Sequence, residues 1–421
     1  MQARLLLSVL ALAAIGAGDP VPEPLTLGAA LEAARSRNPD VRASEARYLA
    51  MRERPIQEGT LPDPSVGVRY HNEDWKLSFG ESDFSFFEVS AEQEIPFPGK
   101  LSLRERIADR EAERERAMRD MTVLMVLATV ASSYADLAVT EQSEQILRES
   151  HALLGFMIEQ AASRYRVGEA AQQDVLRASL ERGALDERLT MIARRRIAAA
   201  AALKALLDLG EGESFPRTGG VPEPRPVEAI EALNEKLAAR SPALRSAQED
   251  VLRSETALRL ARRDYFPDFA VMGGYTNKDG LLPEWELGVR VTVPLYSWRR
   301  QRAAVAEAGF AERAAEHARR NTQVGLEARL ADLHAMAEAS SRLVRLYGET
   351  LIPQARLTLE SSRASYAVGR VDFLTTLSTF TSLLEYRLRY AEETGNLVRA
   401  LAEIGPLVGE TPLGEPLGSQ P

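Results

Sequence analysis

The sequence predicts a mainly α-helical chain with a small β part, in which long coiled-coil helices and four β-strands form a tandem structural duplication. Three observations carry this prediction. Residues 101 to 167 run without proline, with apolar residues at steps of three and four. Short segments in each half alternate apolar and polar residues at the period of a strand. Four landmarks also recur in the same order about 200 residues apart: Asn38-Pro39 with Ser241-Pro242, LPDPSVGVRY (61–70) with FPDFAVMGGY (266–275), IPFPGK (95–100) with VPLYSW (293–298), and YRVG (165–168) with YAVG (366–369). A constant displacement of ordered landmarks marks an internal repeat.

The chain opens with MQARLLLSVLALAAIGAGDP, a single arginine followed by a short apolar core and small residues. This pattern predicts a secretory signal peptide over 1–18, cleaved near Gly18, and a Pro-rich linker over 19–24. The longest later uncharged run, Met121 to Ala135, contains Thr122, Thr129, Ser132 and Ser133 and is too short to span a bilayer, so no transmembrane helix is expected in the mature chain. With 421 residues, 45% hydrophobic and 27% charged, the chain can bury a large core while most of it stays in water. A net charge of −9 disfavours nucleic acid as a partner. The basic runs Arg194–Arg196 and Arg299–Arg302 read as solvated helix faces. Cysteine is absent, which excludes thiolate nucleophiles, disulfides, cysteine-bound zinc and a lipid-anchored N-terminus.

Each half then reads as a helix, two strands joined by a loop, a very long helix, a turn at Val-Gly and a second long helix. At about 1.5 Å per residue, 101–167 would extend roughly 100 Å and cannot fold onto itself. Leu124, Leu127, Ala131, Tyr134 and Ala138 form its coiled-coil seam, and Leu326, Leu330, Leu333 and Ala337 form the matching seam of the second half. Pro353 removes a backbone donor and is expected to break that second rod.

In FSFFEVSAEQEI, Phe87, Val89, Ala91 and Ile95 share one face, and Glu88, Ser90, Glu92 and Glu94 the other. In WELGVRVTV, Trp285, Leu287, Val289, Val291 and Val293 lie opposite Glu286, Gly288, Arg290 and Thr292. Aromatic residues Tyr70, Trp75, Phe79, Tyr275 and Trp285 cluster near the connecting loops. Apolar-out, polar-in segments of about 10 residues with aromatic girdles suit a barrel in lipid. Four strands alone leave unpaired edges, which lipid does not tolerate. Three copies would supply twelve strands in a closed ring. The prolines of IPFPGK, and Pro294, fit the ends of strands where the chain is re-aimed into helices.

This arrangement resembles the TolC-like outer-membrane efflux proteins, and QEIPFPGKL with the two Val-Gly turns is most similar to the heavy-metal cation efflux (Czc/Cus-type) branch. The resemblance spans residues 25–405, as repeat one (25–210) and repeat two (227–405), with a disordered tail expected over 406–421. It implies a homotrimer whose α-barrel crosses the periplasm and continues into a 12-stranded transmembrane β-barrel. It also implies a periplasmic adaptor, an inner-membrane pump of the RND type and outer-membrane lipid as partners. Carried over by residue, the periplasmic tip that docks the adaptor is Val167, Gly168, Glu169, Val368, Gly369 and Arg370. Some relatives carry aspartates six and nine residues beyond the second-turn glycine; here Thr375 and Ser378 stand there. Asp174, Arg177, Asp372 and Thr375 are therefore the candidate gate.

A lumen lined by Glu88, Glu92, Glu94 and Glu286, with Arg290, would favour cations. His71, His151, His317 and His334 show no ligand spacing, and the Met118, Met121, Met125 stripe reads as core packing, so no metal site or cofactor is expected within the chain. No HExxH, GxxxxGK[ST] or GxSxG motif supports an enzyme. Two alternatives stand beside a metal-ion duct: a drug-efflux or protein-secretion channel, and a secreted periplasmic coiled-coil scaffold or adaptor without a pore.

Overall fold

The computed structural model describes residues 24–72, 75, 85–210, 215–278 and 282–417. The signal peptide, Phe79 and most of the linker lie outside the described residues. In chain order the elements are α1 (Leu27–Arg37), α2 (Pro39–Arg52), α3 (Arg54–Gly59), β1 (Ser65–His71), β2 (Phe86–Ile95), α4 (Lys100–Arg166) and α5 (Gln172–Leu206). There follow α6 (Ile230–Arg240), α7 (Pro242–Arg263), β3 (Asp268–Asn277), β4 (Glu284–Thr292), α8 (Arg300–Arg345), a π-helical turn (Leu346–Leu351), α9 (Ile352–Ala367) and α10 (Phe373–Val408). The two halves follow one plan of paired helices, two strands and two long helices, except that α3 has no counterpart and the counterpart of α4 is divided into α8, the π-helical turn and α9.

The chain divides into two compact units. The first comprises Met1–Pro39, Val126–Val227 and Leu333–Glu403. Its core is made by four helices: Ile146, Leu147, Leu154, Met157 and Ala161 of α4 pack with Ala178 and Leu185 of α5, Leu359 and Tyr366 of α9, and Phe373, Leu377, Phe380 and Leu384 of α10. Small residues on these faces let the helices approach closely, as coiled-coil packing requires. Of the predicted seam residues, Leu124, Leu127, Ala131, Tyr134, Ala138, Leu330, Leu333 and Ala337 are buried, whereas Leu326 is half-buried. The Tyr134 hydroxyl donates to the Leu25 carbonyl at 2.8 Å and accepts from the Gly219 amide at 3.2 Å, so one buried phenol ties two loop segments to α4.

Pro353 does not end the rod. The helix opens for one π-helical turn over Leu346–Leu351 and resumes at Ile352, whose amide bonds back five residues to Tyr347. One extra residue in the turn relieves the clash between the proline ring and the preceding turn, so the expected break becomes a π-bulge.

The second unit comprises Asp40–Met125, Glu228–Asp332 and Ile404–Pro421. Here α4 is joined to α3 by Arg54–Glu111 and to α2 by Arg119–Glu45, both at 3.0 Å, and to α7 by Arg110–Glu249 at 3.1 Å and Asp120–Arg245 at 2.7 Å. The four strands form one antiparallel sheet in the order β1-β2-β3-β4, so the two hairpins are joined through β2 and β3.

The sheet meets the helices at a clamp built across the two repeats. Lys100, buried at the start of α4, reaches Asp268 of β3 at 2.9 Å, Asp264 at 3.4 Å and the Phe266 carbonyl at 3.1 Å. The Phe97 amide donates to Asp268 at 2.7 Å, and the Phe97 and Phe266 rings stack with centroids 4.6 Å apart. Proline at 96 and 98 ends β2, where no further ladder donor is needed, and frees the chain to turn into α4.

The C-terminal segment differs from the expected disorder. Helix α10 passes through Pro406 to Val408, and the buried Glu410 carboxylate meets Lys236 at 3.0 Å and Arg240 at 3.8 Å. A buried carboxylate with two basic partners orders a segment that proline and glycine content alone marks as loose. Residues 418–421 lie outside the described residues.

Lys100→Met should lower stability by about 1–3 kcal/mol, because two aspartates lose their buried counter-charge. The double variant Lys100→Met/Asp268→Asn should cost less than the sum of the single changes, since the pair acts as a unit. Thermal unfolding of the variants checks both.

Candidate functional site

The two Val-Gly turns are built alike. Gly168 and Gly369 take φ of 80° and 76°, a conformation that glycine adopts without the penalty of a side chain. At each turn the glycine amide donates three residues back, to Tyr165 and Tyr366 at 3.0 Å. The next amide donates five back, from Glu169 to Arg164 and from Arg370 to Ser365, both at 2.9 Å. This double bond closes a helix in the Schellman manner. Val167, Glu169, Val368 and Arg370 are left exposed at the apex.

Arg164 was not among the residues singled out from sequence, yet it holds the two turns together. From the last turn of α4 its guanidinium donates to the Tyr366 carbonyl, pairs with Glu169 at 3.4 Å, and lies 4.8 Å over the Tyr366 ring. Tyr366 is only 4% exposed and meets Phe373 edge to face at 5.4 Å. Burial, and then the nearby charge of Asp174, push its hydroxyl above the usual phenol range. Its repeat partner Tyr165 is 44% exposed, because Ser365 stands where Arg164 does and is too short to cover it. The only sequence signal was that mismatch, RYRVG against SYAVG.

The four candidate gate residues lie at the starts of the helices that leave these bends, Asp174 and Arg177 in the first two turns of α5, Thr375 in the first turn of α10 and Asp372 just before it. Asp372 caps α10 by accepting from the Thr375 amide at 3.2 Å, and the Thr375 hydrogen bonds hold its carboxyl below the usual carboxylate range. Asp174 sits in the first turn of α5, where the helix dipole favours a negative charge. Arg177 lies 3.1 Å from the side-chain amide of Gln173, one turn back. Among the described residues, the contact between Asp372 and Thr375 is the one that joins members of this set.

The sheet carries the second predicted set. Register places Val66, Val68 and Tyr70 beside Ala91, Val89 and Phe87, and Val271 and Tyr275 beside Val289 and Trp285, all on one face. That face is bare: Val66, Val68, Trp285, Leu287 and Val289 expose 65–79% of their surface. The opposite face carries Glu88, Glu92, Glu94, Glu286 and Arg290, as the alternation predicts. It is also crowded, since a Cβ at Gly274 would lie 2.9 Å from Glu286 Oε1. Two of its glutamates are neutralised: Glu88 pairs with Arg69 at 3.2 Å, and Glu92 pairs with Arg290. Arg69 was missed because it falls on a strand whose residues were not paired to β2 in the sequence reading. Glu94 and Glu286 have no basic partner among the described residues. Met118 and Met125 are exposed, so their stripe is not core packing.

The family described as outer membrane efflux protein matches the chain over residues 30–208 and 233–410. The chain is similar to the cobalt-zinc-cadmium resistance protein CzcC of Cupriavidus metallidurans, with 21% identity over 389 residues, covering 92% of this chain and 90% of that protein. Among solved structures it superposes on CusC with a TM-score of 0.77 and 14% identity, covering 91% of this chain and 92% of that one. The outer membrane protein VceC of Vibrio cholerae gives a TM-score of 0.75 at 18% identity, covering 91% and 96%.

Gly369→Ala should destabilise its turn more than Gly168→Ala. Both replacements force a side chain into a left-handed conformation, at about 1–2 kcal/mol, but a Cβ at 369 also comes 3.2 Å from Arg164 Nη2, while 168 opens on free space. Hydrogen exchange at the turn amides reads the difference. The Asp372 cap has a lowered carboxyl pKa, so its contribution is complete above the unfolded value and is lost as pH falls through the lower folded one. Protection of the Thr375 amide should therefore drop on acidification below the carboxylate range in the native protein, and should be low at every pH in Asp372→Ala.

Proposed function

We propose, because the chain belongs to the outer membrane efflux protein family, that it is the passive exit duct of a tripartite efflux system, assembled as a homotrimer and passing heavy-metal cations. In this reading an inner-membrane pump of the RND type delivers the substrate through a periplasmic adaptor. The observation that carries it is the sheet: one antiparallel layer with a bare apolar face, a crowded polar face, and β1 and β4 each with an unpaired edge. Strands of 7 to 10 residues are about the length that crosses a bilayer when tilted. Three copies pairing β4 of one with β1 of the next give a ring with every backbone group satisfied.

The polar face then lines the lumen. Arg69 and Arg290 offset Glu88 and Glu92, so the cation preference rests on Glu94 and Glu286, repeated three times around the ring. Two unpaired carboxylates per chain give an attractive field for cations without a fixed binding site that would hold them. The name of the cobalt-zinc-cadmium resistance relative supports heavy metals as the cargo. The apex residues Val167, Gly168, Glu169, Val368, Gly369 and Arg370 present an exposed apolar and charged surface for the adaptor. Arg164 and Tyr366 would set the spacing of the two turns, with Asp174, Arg177, Asp372 and Thr375 placed where the helices converge.

Loss of the gene should reduce growth on divalent heavy metals; an unchanged metal tolerance with a fall in tolerance to hydrophobic antibiotics would make the protein a drug duct. In planar bilayers, Glu94→Gln/Glu286→Gln should lower the ratio of cation to anion permeability, and Arg290→Ala should raise it. Val89→Lys places a charge on the lipid face, at a cost of about 2–4 kcal/mol near the midplane, and should remove the protein from the outer membrane. The neighbouring Ser90→Lys points to the lumen and should insert normally.

A further inference from the structure

Below the two central strands, the start of α4 and the end of α7 flank a pocket of about 450 Å³. Arg106 of α4 and Arg259, Arg262 and Arg263 of α7 line it, beside Phe266. Arg259 meets Glu255 at 3.5 Å, and the Arg263 guanidinium lies 5.9 Å from the centre of the Phe266 ring. Arg106, Arg262 and Arg263 have no carboxylate partner among the described residues. Three exposed guanidiniums without a carboxylate partner share this one concavity, an arrangement that suits an anion from outside in a chain of net charge −9.

The side on which the pocket opens follows from helix geometry. At about 100° per residue, Ser102 and Arg106 point away from Lys100. The Lys100 ammonium reaches Asp268, which belongs to the polar face of the sheet by its register opposite Thr292. The pocket therefore lies on the side of the apolar face, where exposed Tyr265 and Phe266 continue the apolar surface past the strand ends. Because α4 follows β2 and α7 precedes β3, it sits under the middle of the sheet, and pairing at the β1 and β4 edges leaves it open.

We infer that this pocket binds the phosphate of an anionic glycerophospholipid in the leaflet at the helix end of the sheet, with the acyl chains against the bare strands. The inference rests on the sheet lying in the outer membrane. Guanidinium forks match phosphate oxygens, and aromatic rings at the same depth suit the headgroup boundary. A basic pocket of this kind selects a lipid with net negative charge over a zwitterionic one.

Native mass spectrometry of the detergent-solubilised protein tests it, with phosphatidylglycerol, phosphatidylcholine or inorganic phosphate added at equal concentration. Phosphatidylglycerol should be retained in preference to phosphatidylcholine, and inorganic phosphate should not displace it. Each of Arg106→Ala, Arg262→Ala and Arg263→Ala should weaken retention by about fivefold, while Arg262→Lys should keep most of it. Equal retention by the native protein and the triple alanine variant overturns the proposal, as does displacement by inorganic phosphate, which would mark a site for free anions. The same spectra report the number of chains: a native protein that is not trimeric contradicts the duct, whereas an intact trimer without selective lipid retention contradicts only the lipid site.

Discussion

A β-strand whose edge is unpaired cannot rest in hydrocarbon, and this constraint governs the rest of the structure. The chain supplies four strands with a lipid-ready face of valine, leucine and aromatic residues, yet leaves the edges of β1 and β4 without partners. Water is a poor alternative, because the bare face is far larger than scattered surface apolar residues would be. In the proposed duct, other copies of the same chain relieve both difficulties at once. The small seam residues of the long helices permit close lateral packing.

The duplication keeps a backbone plan while its side chains diverge. Both repeats end a strand at proline and both close a helix at Val-Gly, because backbone geometry at those points leaves few choices of residue. The chemistry is divided between the repeats. Lys100 of the first reaches Asp268 of the second, whereas the equivalent position in the second repeat is Trp298, exposed and lying beside Arg299. Arg164 of the first covers Tyr366 of the second, whereas Tyr165 is left 44% exposed. These cross-repeat contacts make each half depend on the other, as a sheet joined through β2 and β3 also does.

Features written into the chain as a period or as a backbone demand were legible in advance. The alternation at Phe87–Ile95 placed all eight residues it assigned on their observed faces, and the seam residues from Leu124 to Ala138 are buried. Features that arise from residues meeting through space were not. Arg69 neutralises Glu88 from a neighbouring strand, and no period in either strand announces it. Proline at 353 signalled an interruption, but whether a helix breaks or widens depends on the packing of Tyr347 and Gly348 against Tyr386 and Tyr390. The tail was misread for a similar reason. Its composition is that of a loose segment, and a single buried carboxylate at Glu410 outweighs it.

The duct, its selectivity and its lipid boundary all require that β4 of one copy lie beside β1 of the next. The chain has no cysteine, so introduced thiols report this contact without background. A cysteine at Val68 of β1, combined with single cysteines scanned along the apolar face of β4 from Trp285 to Val291, should give under oxidation a ladder that ends at a covalent trimer, strongest at one register. Oxidation that yields only monomers at every position, from a protein that remains soluble without detergent, would contradict the account.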